Sequence, residues 1–150
     1  MPQIVIAVIV VAGTLVLGLT LRRRQQVDAP TQAVHLVPTQ LDRADFAEPS
    51  TPWLVAVFSS ASCSTCADVV RKAVVLRSGE VAVSDVEYGA NRSLHDKYAI
   101  AAVPIVVVAD SAGVVHAAFT GPVSATDLWA AVAEARQPGT SPEPGLGSLD

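Results

Sequence analysis

Apolar positions along the chain follow different rules in its different parts. Residues 4–21, IVIAVIVVAGTLVLGLTL, hold no charge and break the apolar run only with Gly and Thr. Eighteen helical residues span about 27 Å, close to the roughly 30 Å of a bilayer core. A helix packed against a protein core would show a polar stripe at the helical period, and this run shows none. It reads as one transmembrane helix within residues 1–24. A buried helix and a cleaved signal peptide are the alternatives. A signal peptide wants positive charge before its apolar run and a small-residue cleavage site after it. Here Met-Pro-Gln precedes the run and Arg22, Arg23 and Arg24 follow it, which favours an uncleaved anchor.

Beyond the basic triplet the pattern changes. Residues 25–33 are polar and read as a linker, and residues 137–150, rich in Pro, Gly and Ser, as a disordered tail. Residues 34–136 remain for one domain, long enough to build a core without disulfide staples. Within it, 34–37 is a weak first strand, and Trp53–Ser59 (WLVAVFS) is an apolar run of buried-strand length. The stretch 63–77 predicts a helix, with Cys66, Val69, Val70, Ala73 and Val74 on one face. Val81–Glu87 alternates as a strand, 91–98 is a short helix, and 105–109 is a strand. The DSAG turn at 110–113 leads into its hairpin partner, 114–120. Ser124 opens a final helix over 124–136, with Asp127 completing a capping box and Leu128, Ala131, Val132 and Ala135 as its stripe. This order predicts an α/β domain with a right-handed parallel crossover and a terminal antiparallel hairpin.

Charge narrows the function classes. The net charge is −4, and the first 24 residues contain three arginines and no acid, so seven cations face fourteen acids afterwards, a net −7. Nucleic acid is a poor partner for such a surface, because its phosphates need Lys and Arg. The basic triplet suits anionic lipid headgroups instead. Since Lys and Arg stay preferentially on the cytoplasmic side, it also predicts a soluble domain facing the cytoplasm, with the extracytoplasmic orientation as the alternative.

The chain has two cysteines, in Cys63-Ser64-Thr65-Cys66, where a strand ends and a helix begins. Free N–H groups and the macrodipole at a helix N-terminus stabilise a thiolate. Cys63 is therefore the expected exposed nucleophile. Cys66, on the buried helical face, is the expected shielded resolving thiol. Zinc would need about four ligands, and one CxxC supplies two. His35, His95 and His116 stand singly on different elements, so no second ligand pair is in view. A purely structural pair of cysteines is the other alternative, but CxxC at a strand-to-helix junction is the recurring mark of thiol–disulfide exchange.

Over nearly all of 34–136 the domain resembles thioredoxin. The resemblance is carried by CSTC after WLVAVFS, by KYAIAAVP and the strand after it, and by Gly121 beyond the hairpin. It implies a three-layer α/β/α sandwich around a mixed central sheet. It implies a cis bond at Val103-Pro104 beside the cysteine pair, leaving Val103 backbone groups to pair with an extended substrate segment. Gly121 would line the same groove. Without CSTC, Pro104 would read as a strand-start proline and Gly121 as a simple turn.

The departures matter too. Ser62 stands where thioredoxin usually has Trp, and Ser64-Thr65 where it has Gly-Pro. Val57 occupies the place of the family's buried aspartate, the proton acceptor for the second cysteine. Asp85 falls near the position of the family's partner lysine; it is an alternative base in place of the missing aspartate, but an exposed strand-end carboxylate is the commoner fate. Lacking a base at position 57, the chain is expected to deprotonate Cys66 slowly. No histidine lies between the cysteines, which disfavours a strongly oxidising poise. The roughly 37 residues from Cys66 to Pro104 leave no room for the insertion of cytochrome-maturation relatives. No PxxxTxxC-type motif, which a peroxidase would need, surrounds either cysteine.

The combined expectation is a membrane-anchored, single-pass protein-disulfide oxidoreductase. It needs no metal and no organic cofactor. Its partners are protein dithiols and disulfides, lipid through the first helix, and plausibly a second membrane redox protein, because a tether raises local concentration. The rival from another class is a non-catalytic thioredoxin-like docking module at the membrane.

Overall fold

A strand with no polar side chain before its last residue is stable only if both of its faces are covered. Trp53–Ser59 is such a strand, β1, and Leu54 through Phe58 are all 0% exposed. A computed structural model describes residues 37–139, which lie in the compact unit His35–Asp150. The unit Met1–Val34 is outside the described residues, and so are the expected anchor, basic flank and linker and residues 140–150. Among the described residues, no helix is long and apolar enough to cross a membrane.

The cover for β1 comes from three further strands and three helices. β2 (Val81–Glu87) runs parallel to β1, β3 (Ile105–Asp110) antiparallel to β1, and β4 (Val115–Thr120) antiparallel to β3. The sheet order is β2-β1-β3-β4, so β1 and β3 are interior strands. Alternation sends Val55 and Val57 to one face, where they meet Val69 and Ala73 of α1 (Cys66–Val74) and Leu128, Ala131 and Val132 of α3 (Ala125–Arg136). Leu54, Ala56 and Phe58 take the other face, against Leu41, Phe46, Tyr98 and Leu94 of α2 (Arg92–Lys97). Each such apolar side chain contributes about 1.5–3 kcal/mol on burial. The result is the mixed sheet between helical layers that the resemblance implied.

Local chemistry sets the boundaries. Ser124 caps α3 by accepting the Asp127 N–H at 3.0 Å, the serine half of the expected capping box. Leu128, Ala131 and Val132 are buried and Ala135 is packed against them. Two expectations about α1 need correction, and one about an early strand falls largely outside the described residues. The first strand expected at 34–37 lies outside the described residues except at Val37, which is in no strand. The chain instead touches the hairpin further on, where Gln40 bridges Val114 and buried Leu41 donates its N–H to Gly113 at 2.8 Å. A short 3-10 turn, Arg43–Asp45, capped by Asp42, then ends that contact. The helix expected over 63–77 is shorter. It starts at Cys66, because Cys63 and Cys66 donate to Ser60 and Cys63 in tight three-residue turns. It ends at Val74, where Leu76 and Arg77 bond back only three residues. The apolar face is also narrower than its spacing indicates: Val70 is half-buried and Val74 is 48% exposed.

The β3–β4 turn depends on one glycine. Gly113 has φ of +80°, and a Cβ there would sit 1.9 Å from the Leu41 carbonyl oxygen. Gly121 has a similar φ of +83° with open space around it. Urea unfolding of the two alanine variants separates backbone conformation from collision. Gly121→Ala should cost only the left-handed penalty of about 1–2 kcal/mol. Gly113→Ala should cost clearly more, because the 39–41 segment must move away. Equal losses would refute the close approach.

Candidate active site

The site is built where β1 stops being apolar. Ser59, its last residue, is buried, and the chain then turns through Ser60–Thr65 before α1 begins. That turn places the two cysteines together, joined by a disulfide with Cα atoms 5.4 Å apart. Their surroundings differ. Cys63 lies before the helix and is half-buried, while Cys66, the first helical residue, is 1% exposed and faces the sheet. The Cys66 N–H points at Cys63 Sγ, 3.2 Å away, and the Thr65 hydroxyl lies 3.5 Å from the same sulfur. Both groups can stabilise negative charge on Cys63 once the disulfide is reduced.

β2 supplies the opposite wall. In the parallel register Asp85 lies beside Val57 and Glu87 beside Ser59, and both acids share the α1 face because they are two residues apart. A cleft of about 290 Å³ results, lined by Cys63 and Cys66, by Ser59 and Val70, and by Asp85 and Glu87 among others. Ser59 donates its hydroxyl proton to Asp85 Oδ1 at 2.5 Å. Glu87 accepts from the N–H groups of Ala61 at 3.1 Å and Ala90 at 2.9 Å. Backbone N–H groups of Gly89, Ala61 and Ala90 hold its carboxyl below the usual carboxylate range.

Asp85 is exposed, as expected of a strand-end carboxylate, yet it opens onto the sulfurs rather than onto bulk solvent alone. Neither Ser59 nor Glu87 was singled out from sequence. The signal was present: alternation puts Val81, Val83, Asp85 and Glu87 on one face, and the parallel register carries that face to the cysteine turn.

The residues expected to form a substrate groove lie at the same end of the sheet. β3 runs antiparallel to β1, so Ile105 pairs with Phe58 and also with Thr120. Val103-Pro104 before β3 and Gly121 after β4 are therefore neighbours, and the Gly121 N–H donates to the Pro104 carbonyl at 2.8 Å. The Val103-Pro104 bond is cis. Pro104 is buried, and Val103 and Gly121 are half-buried. None of the three lines the β2-side cleft.

The described histidines are engaged elsewhere. His95 is buried with Nε2 2.8 Å from the Val86 carbonyl, and His116 pairs with Asp110 at 2.9 Å. His35 is outside the described residues. Among the described residues, no group of three or more His, Cys, Asp or Glu side chains is arranged to hold a metal.

No protein-family model and no curated protein matches the chain. Solved structures do. A malarial protein aligns with 56% of this chain and 97% of its own at 20% identity and a TM-score of 0.51. A mutant thioredoxin from Halobacterium salinarum aligns with 75% of this chain and 90% of its own, at 17% identity and 0.52. Thioredoxin from Fasciola hepatica aligns with 58% and 84%, at 24% identity and 0.50. At these identities the likeness is one of fold: the domain has the thioredoxin fold, and its CxxC pair stands at the end of β1.

Proposed function

We propose that this chain is a thiol–disulfide oxidoreductase acting on protein disulfides through Cys63 and Cys66. The observation that carries the reading is the inequality of the two bonded sulfurs, one reachable and amide-solvated, the other buried behind it. In the reduced protein the Cys63 thiolate attacks one sulfur of a substrate disulfide, and the other substrate sulfur leaves as a thiolate. The mixed disulfide is then broken when the Cys66 thiolate attacks Cys63. The intramolecular bond re-forms and the second substrate sulfur departs. The substrate gains two electrons, this chain loses two, and an external dithiol returns them. Neither a metal nor an organic cofactor enters this chemistry.

The extended segment of the substrate would lie along Val103, with Pro104 and Gly121 forming the other bank, in the manner of strand addition. Glu87 would serve as a brace: its carboxylate fastens the turn that presents Cys63 to the loop following β2. The membrane anchor belongs to the same proposal. It rests on the uncharged run 4–21 followed by Arg22, Arg23 and Arg24, which would hold the domain at the cytoplasmic face of the cell membrane, near a membrane redox partner.

Three outcomes are expected. In insulin-disulfide reduction, Cys63→Ser should fall to the uncatalysed rate and Cys66→Ser should trap mixed disulfides. A Cys63→Ser rate equal to wild type would leave the non-catalytic docking module in its place. The brace should be sensitive to acid. The Glu87 carboxyl titrates below its ordinary range when folded, so its contribution is present above that range and lost as pH falls through the folded value. Amide-exchange protection factors at Ala61 and Ala90 should drop over that acid window in wild type and stay flat in Glu87→Gln; parallel curves would contradict the brace. Finally, the full chain should sediment with membranes and lose that property when residues 4–21 are deleted. In intact cells a membrane-impermeant thiol reagent should not label Cys63, and rapid labelling would place the domain outside.

A further inference from the structure

A buried thiol cannot attack until it loses its proton, and the only groups able to take one are those sharing its cavity. Cys66 is 1% exposed, and the cleft it lines also holds Ser59, Asp85 and Glu87. β1 offers nothing closer to its centre, since Val57 is apolar and fully buried. Glu87 is already committed, both of its oxygens accepting backbone N–H groups. Asp85, by contrast, accepts a single hydrogen bond among the described residues, on Oδ1 from Ser59.

We infer that Asp85, oriented by Ser59, is the proton acceptor for Cys66, so that the base for the resolving thiol stands on β2 and not on β1. The inference rests on the exchange reaction proposed above and deepens its second half. When the mixed disulfide on Cys63 is resolved, the Cys66 S–H proton passes to the Asp85 carboxylate. The resulting thiolate attacks Cys63, the intramolecular disulfide forms, and the substrate sulfur leaves with the electron pair. The Asp85 proton is then released to solvent, to which its exposed side chain is open.

The charged and titratable groups facing Asp85 are few. Its own strand presents Glu87, and the turn and start of α1 present Cys63 and Cys66. Beyond α1, Arg77 donates to the Val83 carbonyl at 2.8 Å, two residues from Asp85. Asp68 of α1 is occupied by Arg71 and Lys72.

The sign of the effect separates two roles. If Asp85 acted only as a nearby negative charge, its removal would favour the Cys66 thiolate and speed resolution. If it takes the proton, removal slows resolution.

The test uses the reduced full chain and the chromogenic disulfide of thionitrobenzoate. One thiolate is released when Cys63 attacks and a second when Cys66 resolves. Asp85→Asn is read as the rate of the second release relative to the first in the same trace. It should slow the second at least about tenfold near neutral pH, a conservative bound below the roughly hundredfold or more that a positioned base contributes. It should also leave the second phase rising with pH as an unassisted thiol would. Ser59→Ala should give a smaller slowing, and Asp85→Glu should recover part of the rate, which also controls for misfolding of the Asn variant. A second phase in Asp85→Asn that is unchanged or faster overturns the assignment. A wild-type first phase indifferent to Cys63→Ser would instead remove the exchange reaction itself, so the two failures are distinguishable.

Discussion

The double burial of β1 constrains everything around the cysteines. A strand covered on both faces tolerates no unpaired polar side chain, because each would cost on the order of 1–3 kcal/mol in lost hydration. From Leu54 to Phe58 the chain obeys this, with every residue fully buried. Polarity returns at Ser59, and it returns satisfied, with the hydroxyl bonded to Asp85. The site is therefore placed by exclusion: the interior strand expels polar chemistry to its C-terminal end, where the turn to α1 begins. The same end receives the start of β3 and the end of β4, because those strands run antiparallel in turn.

At that end two electrostatic influences oppose each other. The start of α1 and the Cys66 N–H favour negative charge on Cys63, an effect of about 0.3–1 kcal/mol from the helix terminus, with a charge-assisted hydrogen bond added. Asp85 and Glu87 line the same cleft and disfavour it. A hydrogen bond acts at contact, whereas the carboxylates act across an open, hydrated cleft where their charge is screened. The local donors therefore dominate at Cys63. Cys66 is in the reverse position: it has no such donor aimed at its sulfur among the described residues, and it is buried. The two sulfurs thus stand in different surroundings on the same turn.

What was legible in the sequence follows from the range of each signal. WLVAVFS and VAVSDVE became β1 and β2 with the expected ends, because burial on both faces leaves a continuous apolar run, which in β2 is broken only where Ser84, Asp85 and Glu87 enter. Ser124 was legible as a cap because its partner lies three residues away. The cysteine pair was legible for the same reason. Long-range partners were not. The contact of 39–41 with the hairpin turn, and buried Arg43 reaching the Asp110 carbonyl at 2.8 Å, depend on residues about seventy positions apart. The helix was drawn three residues early at 63, since apolar spacing cannot distinguish a tight turn held by a disulfide from a first helical turn. Asp85 was seen as a strand-end carboxylate, which it is. Its meeting with Ser59 and the sulfurs required the parallel register of β1 and β2.

That register also explains how a carboxylate can leave an interior strand without leaving the site. Val57 and Asp85 are paired across β1 and β2 and point to the same face, one strand spacing of roughly 4.8 Å apart. An acid at position 57 would sit at 0% exposure, and its ionised form would carry a desolvation cost on the order of several kcal/mol. The same acid on β2 is exposed, on the edge strand of the sheet among the described residues. Charges on an edge also discourage pairing with a second sheet. The exchange has a chemical consequence. An acid at position 57 would meet the sulfurs through the core, whereas Asp85 meets them across the open cleft. A chain built this way keeps a continuous apolar strand under its cysteines and sets its carboxylate in the cleft beside them.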